Sequence, residues 1–119
     1  MKVLTPSLYI GLGSAAYALV KMDGQLHLQE SLKARLRLVE EPHGELAMQS
    51  FQLREHYQTP VEEAYNFALR CFASNRKELN ADIKKYFVKI IQNIAEADDH
   101  VSGKETEFIR RFRRDLRKI

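Results

Sequence analysis

The sequence predicts an all-α fold: a compact bundle of six to seven short helices with an internal helix–turn–helix duplication, in a single domain spanning residues 1–119. Three observations lead there. Apolar residues recur at the three- and four-residue spacing of a helix face nearly throughout, and no convincing run alternates as a strand would. Start and stop signals divide these stripes into helices joined by connections of a few residues. One pattern occurs twice, 75 residues apart: an apolar helical stretch enters an acidic turn, which opens the next helix with a glutamate in its first turn. Lys21-Met22-Asp23-Gly24-Gln25-Leu26-His27-Leu28-Gln29-Glu30 is echoed by Glu96-Ala97-Asp98-Asp99-His100-Val101-Ser102-Gly103-Lys104-Glu105. Asp23 pairs with Asp98, Leu26 with Val101 and Glu30 with Glu105.

The first helix has Thr5 as its N-cap and Pro6 at the first helical position. Leu8, Leu12, Ala15, Ala16 and Leu19 form its stripe, and Gly11, Gly13, Ser14, Ala15 and Ala16 a small-residue face. Glycine weakens a helix, so the reason for that face is close approach of a neighbouring helix. The second helix begins near Leu28, with His27 at the N-cap position that Ser102 holds in the other copy. It is expected to turn Leu28, Leu32, Leu36 and Val39 inward and to end at Pro42-His43-Gly44. Glu45–His56 keeps a weaker helical pattern through Leu46, Ser50, Leu53 and Tyr57. Thr59-Pro60-Val61-Glu62 reads as a capping box, opening a helix with the stripe Val61, Ala64, Tyr65, Ala68, Leu69 and Phe72 that breaks at Ser74-Asn75. Asn80 caps the next helix, whose core face is Ile83, Phe87, Ile90, Ile91, Ile94 and Ala97. Ser102-Gly103-Lys104-Glu105 is a second capping-box sequence, and it starts a last helix with Phe108, Ile109, Phe112, Leu116 and Ile119 inside.

An apolar fraction of 45% and a charged fraction of 29% are those of an ordinary globular chain, and the low glycine and proline content argues against a linker or a disordered segment. The single cysteine, Cys71, excludes an intrachain disulfide and favours a reducing compartment. Lys2, the apolar Val3–Ala18 and Ala16-Tyr17-Ala18 have the outline of a secretory signal, but Pro6, Ser7, Gly11 and Gly13 interrupt it. No stretch reaches the roughly 18 uninterrupted apolar residues of a membrane span. The expected location is the cytoplasm. Charge is unevenly spread: net charge is +3 overall, yet the segment from Lys104 onward carries seven cations and three acids.

The acidic turns are one candidate site. A carboxylate just past a helix end, with a glutamate opening the next helix, can hold a hard divalent cation in oxygen ligands. Asp23, Glu30, Asp98, Asp99 and Glu105 are the candidate ligands. The competing account is helix punctuation: Asp23-Gly24 is a turn dipeptide, and Glu30 and Glu105 can accept from their own N-cap backbone. Neither turn has the acid ladder of an EF-hand, and His100 beside Asp98 and Asp99 lacks the spacing of a zinc motif. The last helix offers a second candidate. Arg110, Arg111, Arg113, Arg114 and Arg117 could meet an acidic protein partner, neutralise nucleic-acid phosphates, or form a solvated face near a helix C-terminus. Phe108, Ile109, Phe112 and Leu116 occupy the opposite stripe and read as core rather than as base-stacking platforms. Cys71, in Ala68-Leu69-Arg70-Cys71-Phe72-Ala73, reads as a small buried hydrophobe, and no phosphate loop, nucleophile elbow or metalloprotease helix is present.

The twin pattern of an Ala-rich helix, Asp-Gly or Asp-Asp, an apolar residue and a following glutamate resembles the TerB-like family. That group includes the tellurite-resistance protein TerB and the amino-terminal region of DjlA-type co-chaperones. The likeness is strongest over residues 17–36 and 91–112, and the flanking helices are compatible with it. The resemblance implies a bacterial, all-helical module with internal pseudo-symmetry, linked to stress responses at or near the cytoplasmic face of the membrane. It also implies an acidic surface at Asp23, Glu30, Asp98 and Glu105 associated with divalent-metal binding. Asp99 stands where glycine is usual in that family, and no J-domain accompanies the helices. The resulting expectation is a non-enzymatic TerB-like module that binds a divalent metal ion or a protein partner through its acidic turns, with the basic last helix as a second contact surface. The alternative is a nucleic-acid-binding accessory protein using that helix.

Overall fold

A helix that is apolar on every side has to be buried on every side. In the computed structural model, which describes residues 4–22, 28–97 and 101–119, the first helix α1 (Pro6–Lys21) takes that place. All of its residues from Gly11 to Val20 are buried. Around it stand α2 (Leu28–Leu38), α3 (Gly44–Tyr57), α4 (Val61–Ala73) and α5 (Ala81–Glu96), and α6 (Gly103–Arg117) packs against α5. The described residues therefore form an all-α bundle of six helices with no strand.

The small-residue face does what its composition predicts. A Cβ added at Gly13 would lie 2.1 Å from the Ala47 carbonyl oxygen, and one at Gly11 would lie 2.8 Å from Cys71 Cβ. Gly13 thus lets α3 touch the backbone of α1, and Gly11 does the same for α4. Polar side chains stitch these contacts: Ser14 Oγ donates to the Ala64 carbonyl at 2.7 Å and Ser50 Oγ to the Ile10 carbonyl at 2.7 Å. Aromatic rings fill the wider gaps. Phe72 lies 5.7 Å from Phe87 and 5.9 Å from Phe112, centroid to centroid, which joins α4 to α5 and α6.

Several local expectations are overturned. Leu28, Leu32, Leu36 and Val39 face solvent, 79%, 48%, 57% and 41% exposed, and the core instead receives Ser31, Ala34 and Leu38. Small side chains at 31 and 34 let α2 lie close to its neighbours, and Ser31 Oγ is satisfied by Glu55 at 2.5 Å. On α3 the buried row is Gly44, Ala47, Ser50 and Phe51, whereas Leu53 and Tyr57 are exposed. Ala97 is exposed at the end of α5. Thr5 is the N-cap of α1 with Pro6 next, as expected, but its side chain makes no cap bond; its hydroxyl and its backbone N–H both donate to the Glu78 carboxylate. Thr59 closes no capping box, because Pro60 is the N-cap and Glu62 falls one position short of the third helical residue. The Thr59 carbonyl instead accepts from Tyr17 at 2.8 Å. Asn80 and Ser102 cap as expected, with Asn80 Oδ1 accepting from the Ile83 N–H at 3.0 Å.

Candidate functional site

Asp23, Asp98 and Asp99 lie outside the described residues, as do His27 and His100. The two remaining acids of the acidic turns are both placed. Glu30 sits in the first turn of α2. Glu105 is the third residue of α6 and completes a capping box: its Oε1 accepts from the Ser102 N–H at 3.0 Å, and its own N–H donates to Ser102 Oγ at 3.1 Å. One Glu105 oxygen is thereby committed to helix punctuation. Among the described residues no three acidic, histidine or cysteine side chains gather as a metal ion would require.

The five arginines of the last helix separate into two groups. Arg111 forms a two-pronged ion pair with Glu62 on α4, both bonds at 2.7 Å, and its guanidinium lies 4.1 Å from the Tyr65 ring centroid. The hydrogen bonds from Arg111 hold the Glu62 carboxyl below its ordinary pKa. Tyr65 completes this cluster by donating to Asp115 at 2.6 Å, and burial together with that carboxylate pushes its phenol pKa up. Arg111 is therefore a tie between α6 and α4. Arg110 pairs with Glu107 at 2.9 Å, and Arg114 approaches Asp115 at 3.4 Å. Arg113 and Arg117 form no salt bridge among the described residues and point along the seam between α5 and α6.

That seam is a groove with a cavity volume of about 620 Å³. Antiparallel packing of α5 on α6 brings Lys85 and Lys89 of the first helix opposite Arg113 and Arg117 of the second. Val88 and Leu116, both nearly buried, form the floor. Lys84 stands at one end and donates to the Ile119 carbonyl at 3.2 Å. Among the described residues, five cations thus line the groove against one carboxylate, that of Glu96. The aliphatic stems of those lysines and arginines add apolar wall beneath their charges. A second hollow of about 340 Å³ shares Gln92, Glu96 and Arg113 with the first and continues along the same seam to Val101 and Ile109.

Sequence reasoning found Arg113 and Arg117 but not Lys84, Lys85, Lys89 or Val88. The available signal was the row Lys85, Lys89 and Gln92 on the solvent side of a strongly amphipathic helix, which gains meaning only when α6 is laid beside it.

Two further buried side chains, Glu41 and Cys71, lie outside this groove. Glu41 is buried and accepts from Arg37 at 2.8 Å and from Tyr86 at 2.7 Å. Burial, followed by that carboxylate, raises the Tyr86 pKa. Cys71 is buried, and desolvation pushes its thiol pKa up, away from nucleophilic use. No helix among the described residues is long and apolar enough to cross a membrane.

No protein-family model, curated protein or solved structure matches this chain. The likeness to the TerB-like family therefore stands on the recurring acidic-turn pattern.

Proposed function

We propose that this chain is a non-enzymatic, TerB-like interaction module that engages an acidic protein partner through the cationic face of α5 and α6. The observation that carries the reading is the groove between them: among the described residues, five cations against one carboxylate, over an apolar floor. A purely structural basic helix would spend its arginines as Arg111 does, on neighbouring acids. Nucleic acid is the competing ligand for the same charges, but Phe108 and Phe112 are buried, and no aromatic side chain lines the groove to stack on a base.

The test compares polyglutamate with a short DNA duplex by amide NMR over a range of salt concentrations. A Lys85→Gln/Lys89→Gln/Arg113→Gln/Arg117→Gln variant serves as the control. Polyglutamate shifts confined to α5 and α6, and absent from the variant, support an acidic protein ligand. Tighter DNA binding with a steep salt slope would replace that reading with the nucleic-acid one.

The acidic turns supply the second half of the TerB-like reading, a divalent cation held by Asp23, Glu30, Asp98, Asp99 and Glu105, and its support is the repeated sequence pattern. Titration of metal-free protein with Ca²⁺, Mg²⁺ and Zn²⁺, beside an Asp98→Asn/Asp99→Asn variant, tests it. Saturable shifts over residues 21–30 and 96–105 that the variant loses support a cation site. Their absence reduces the turns to punctuation.

A further inference from the structure

We infer that the α5–α6 groove receives an amphipathic acidic helix of the partner, packed as a third helix along the seam. The inference rests on the acidic-partner reading above and specifies the ligand's shape and pattern. Charge alone would call for any anionic surface, but the groove has a polarity of its own. Val88 and Leu116 lie along its floor, with Lys85 and Lys89 on α5 and Arg113 and Arg117 on α6. A ligand complementary to that cross-section is apolar along one line and acidic on both flanks. A helix with leucine-like residues at i, i+4, i+7 and i+11 and glutamates beside them has that form.

Two features favour a helix over an extended segment. The described residues contain no strand, so no sheet edge is offered for an extended peptide to join. The two hollows share a wall and follow α5 from Ala81 to Glu96, which at about 1.5 Å per residue is roughly 22 Å, the length of about four helical turns. The cations also suit the task. Lysine and arginine stems can lie against the apolar face of an incoming helix while their charged ends reach its flanking carboxylates.

The test uses the full chain and two synthetic peptides of identical composition. One places leucines at i, i+4, i+7 and i+11 with glutamates flanking them; the other scrambles that order. Binding is followed by fluorescence anisotropy, amide shifts and the peptide's circular dichroism. The patterned peptide is expected to bind at least tenfold more tightly than the scrambled one, to gain helicity, and to shift residues 81–96 and 109–117. Lys85→Glu/Lys89→Glu, which alters exposed positions only, is expected to weaken it at least tenfold. Replacing with lysines only the peptide glutamates on the flank that faces α5, and keeping those that face Arg113 and Arg117, should restore binding to that variant.

Equal binding of patterned and scrambled peptides would overturn the helix while leaving the acidic-partner reading intact. If neither peptide nor polyglutamate binds, both readings fall. Binding to phosphatidylglycerol vesicles without peptide binding would assign the groove to a lipid surface and overturn the inference, as would shifts centred on α2.

Discussion

Replacing Gly13 with alanine is the sharpest test of how this bundle is held together. The new Cβ would stand 2.1 Å from the Ala47 carbonyl oxygen, 2.9 Å from its carbonyl carbon and 3.1 Å from its Cα. All three atoms are backbone of α3, so no side chain can turn aside. Relief requires α1 and α3 to separate by more than an ångström. That movement would stretch the Ser50–Ile10 hydrogen bond and open the edge-on contact between Tyr17 and Phe51, now 5.9 Å apart. Overpacking of this kind costs about 3 kcal/mol when the obstruction cannot yield. Alanine recovers about 1 kcal/mol of helix propensity. The net loss is about 2 kcal/mol, which for a chain of this length lowers Tm by about 6 to 12 °C.

Thermal and urea melts followed by circular dichroism measure that loss. Gly103→Ala is the matched control, because nothing lies within 4 Å of a Cβ placed there, and it should melt at or slightly above the wild-type temperature. A Gly13→Ala protein as stable as the wild type would refute the close approach of α1 and α3.

The register of α2 is checked by contrast: Leu32→Gln or Leu36→Gln should change stability by no more than about 0.5 kcal/mol, whereas Leu38→Ala should cost about 2 to 5 kcal/mol. The reverse ordering in urea melts would restore the inward stripe. Ser102→Ala should cost about 1 kcal/mol by freeing the Glu105 N–H, while Glu105→Gln should leave the melt unchanged because glutamine also completes a capping box. As a proposed ligand, Glu105 should also matter to metal: Glu105→Gln is expected to weaken any amide response to divalent cations, and an unchanged response would leave Glu105 to the cap alone. The Arg111–Glu62 pair depresses the Glu62 pKa, so its stabilisation is full above the ordinary carboxylate value of 4.5 and is lost as pH falls through the lower folded value. Both groups are more than a third exposed, which keeps the effect small; Arg111→Gln should flatten that part of the acid limb in a pH series of urea melts.

The sequence disclosed some elements more fully than others, and the reasons are physical. Glycines at 11 and 13 within an Ala-rich helix announce close packing because nothing else compensates for their cost in propensity. The rows Phe87–Ile90–Ile91–Ile94 and Phe108–Ile109–Phe112–Leu116 leave one apolar face each, so α5 and α6 could be oriented without knowing their neighbours. In α2 two faces compete. The larger side chains, Leu28, Leu32 and Leu36, outweigh Ser31 and Ala34 in any hydropathy count, yet only the small ones permit α2 to sit close against its neighbours. Thr59-Pro60-Val61-Glu62 misled for a different reason: the helix starts at Val61 with Pro60 as its N-cap, which shifts the box out of register, and Glu62 pairs instead with Arg111, 49 residues away. The groove was not visible because three of its five cations, Lys84, Lys85 and Lys89, come from α5, where they are interspersed with apolar residues. No run of like charge marks them, and only the antiparallel pairing with α6 assembles the site.

The central position of α1 also sets an order of events during synthesis. Of the six helices described, α1 is made before the other five, and its chief packing partners are α3 and α4, which end at Tyr57 and Ala73. Its apolar surface therefore has no lasting cover until the chain has been made as far as Ala73. The α5–α6 hairpin has the opposite character, because its partners are adjacent in sequence and its loop closure is inexpensive. The most deeply buried helix of the finished protein is thus the one that spends longest uncovered on the way there.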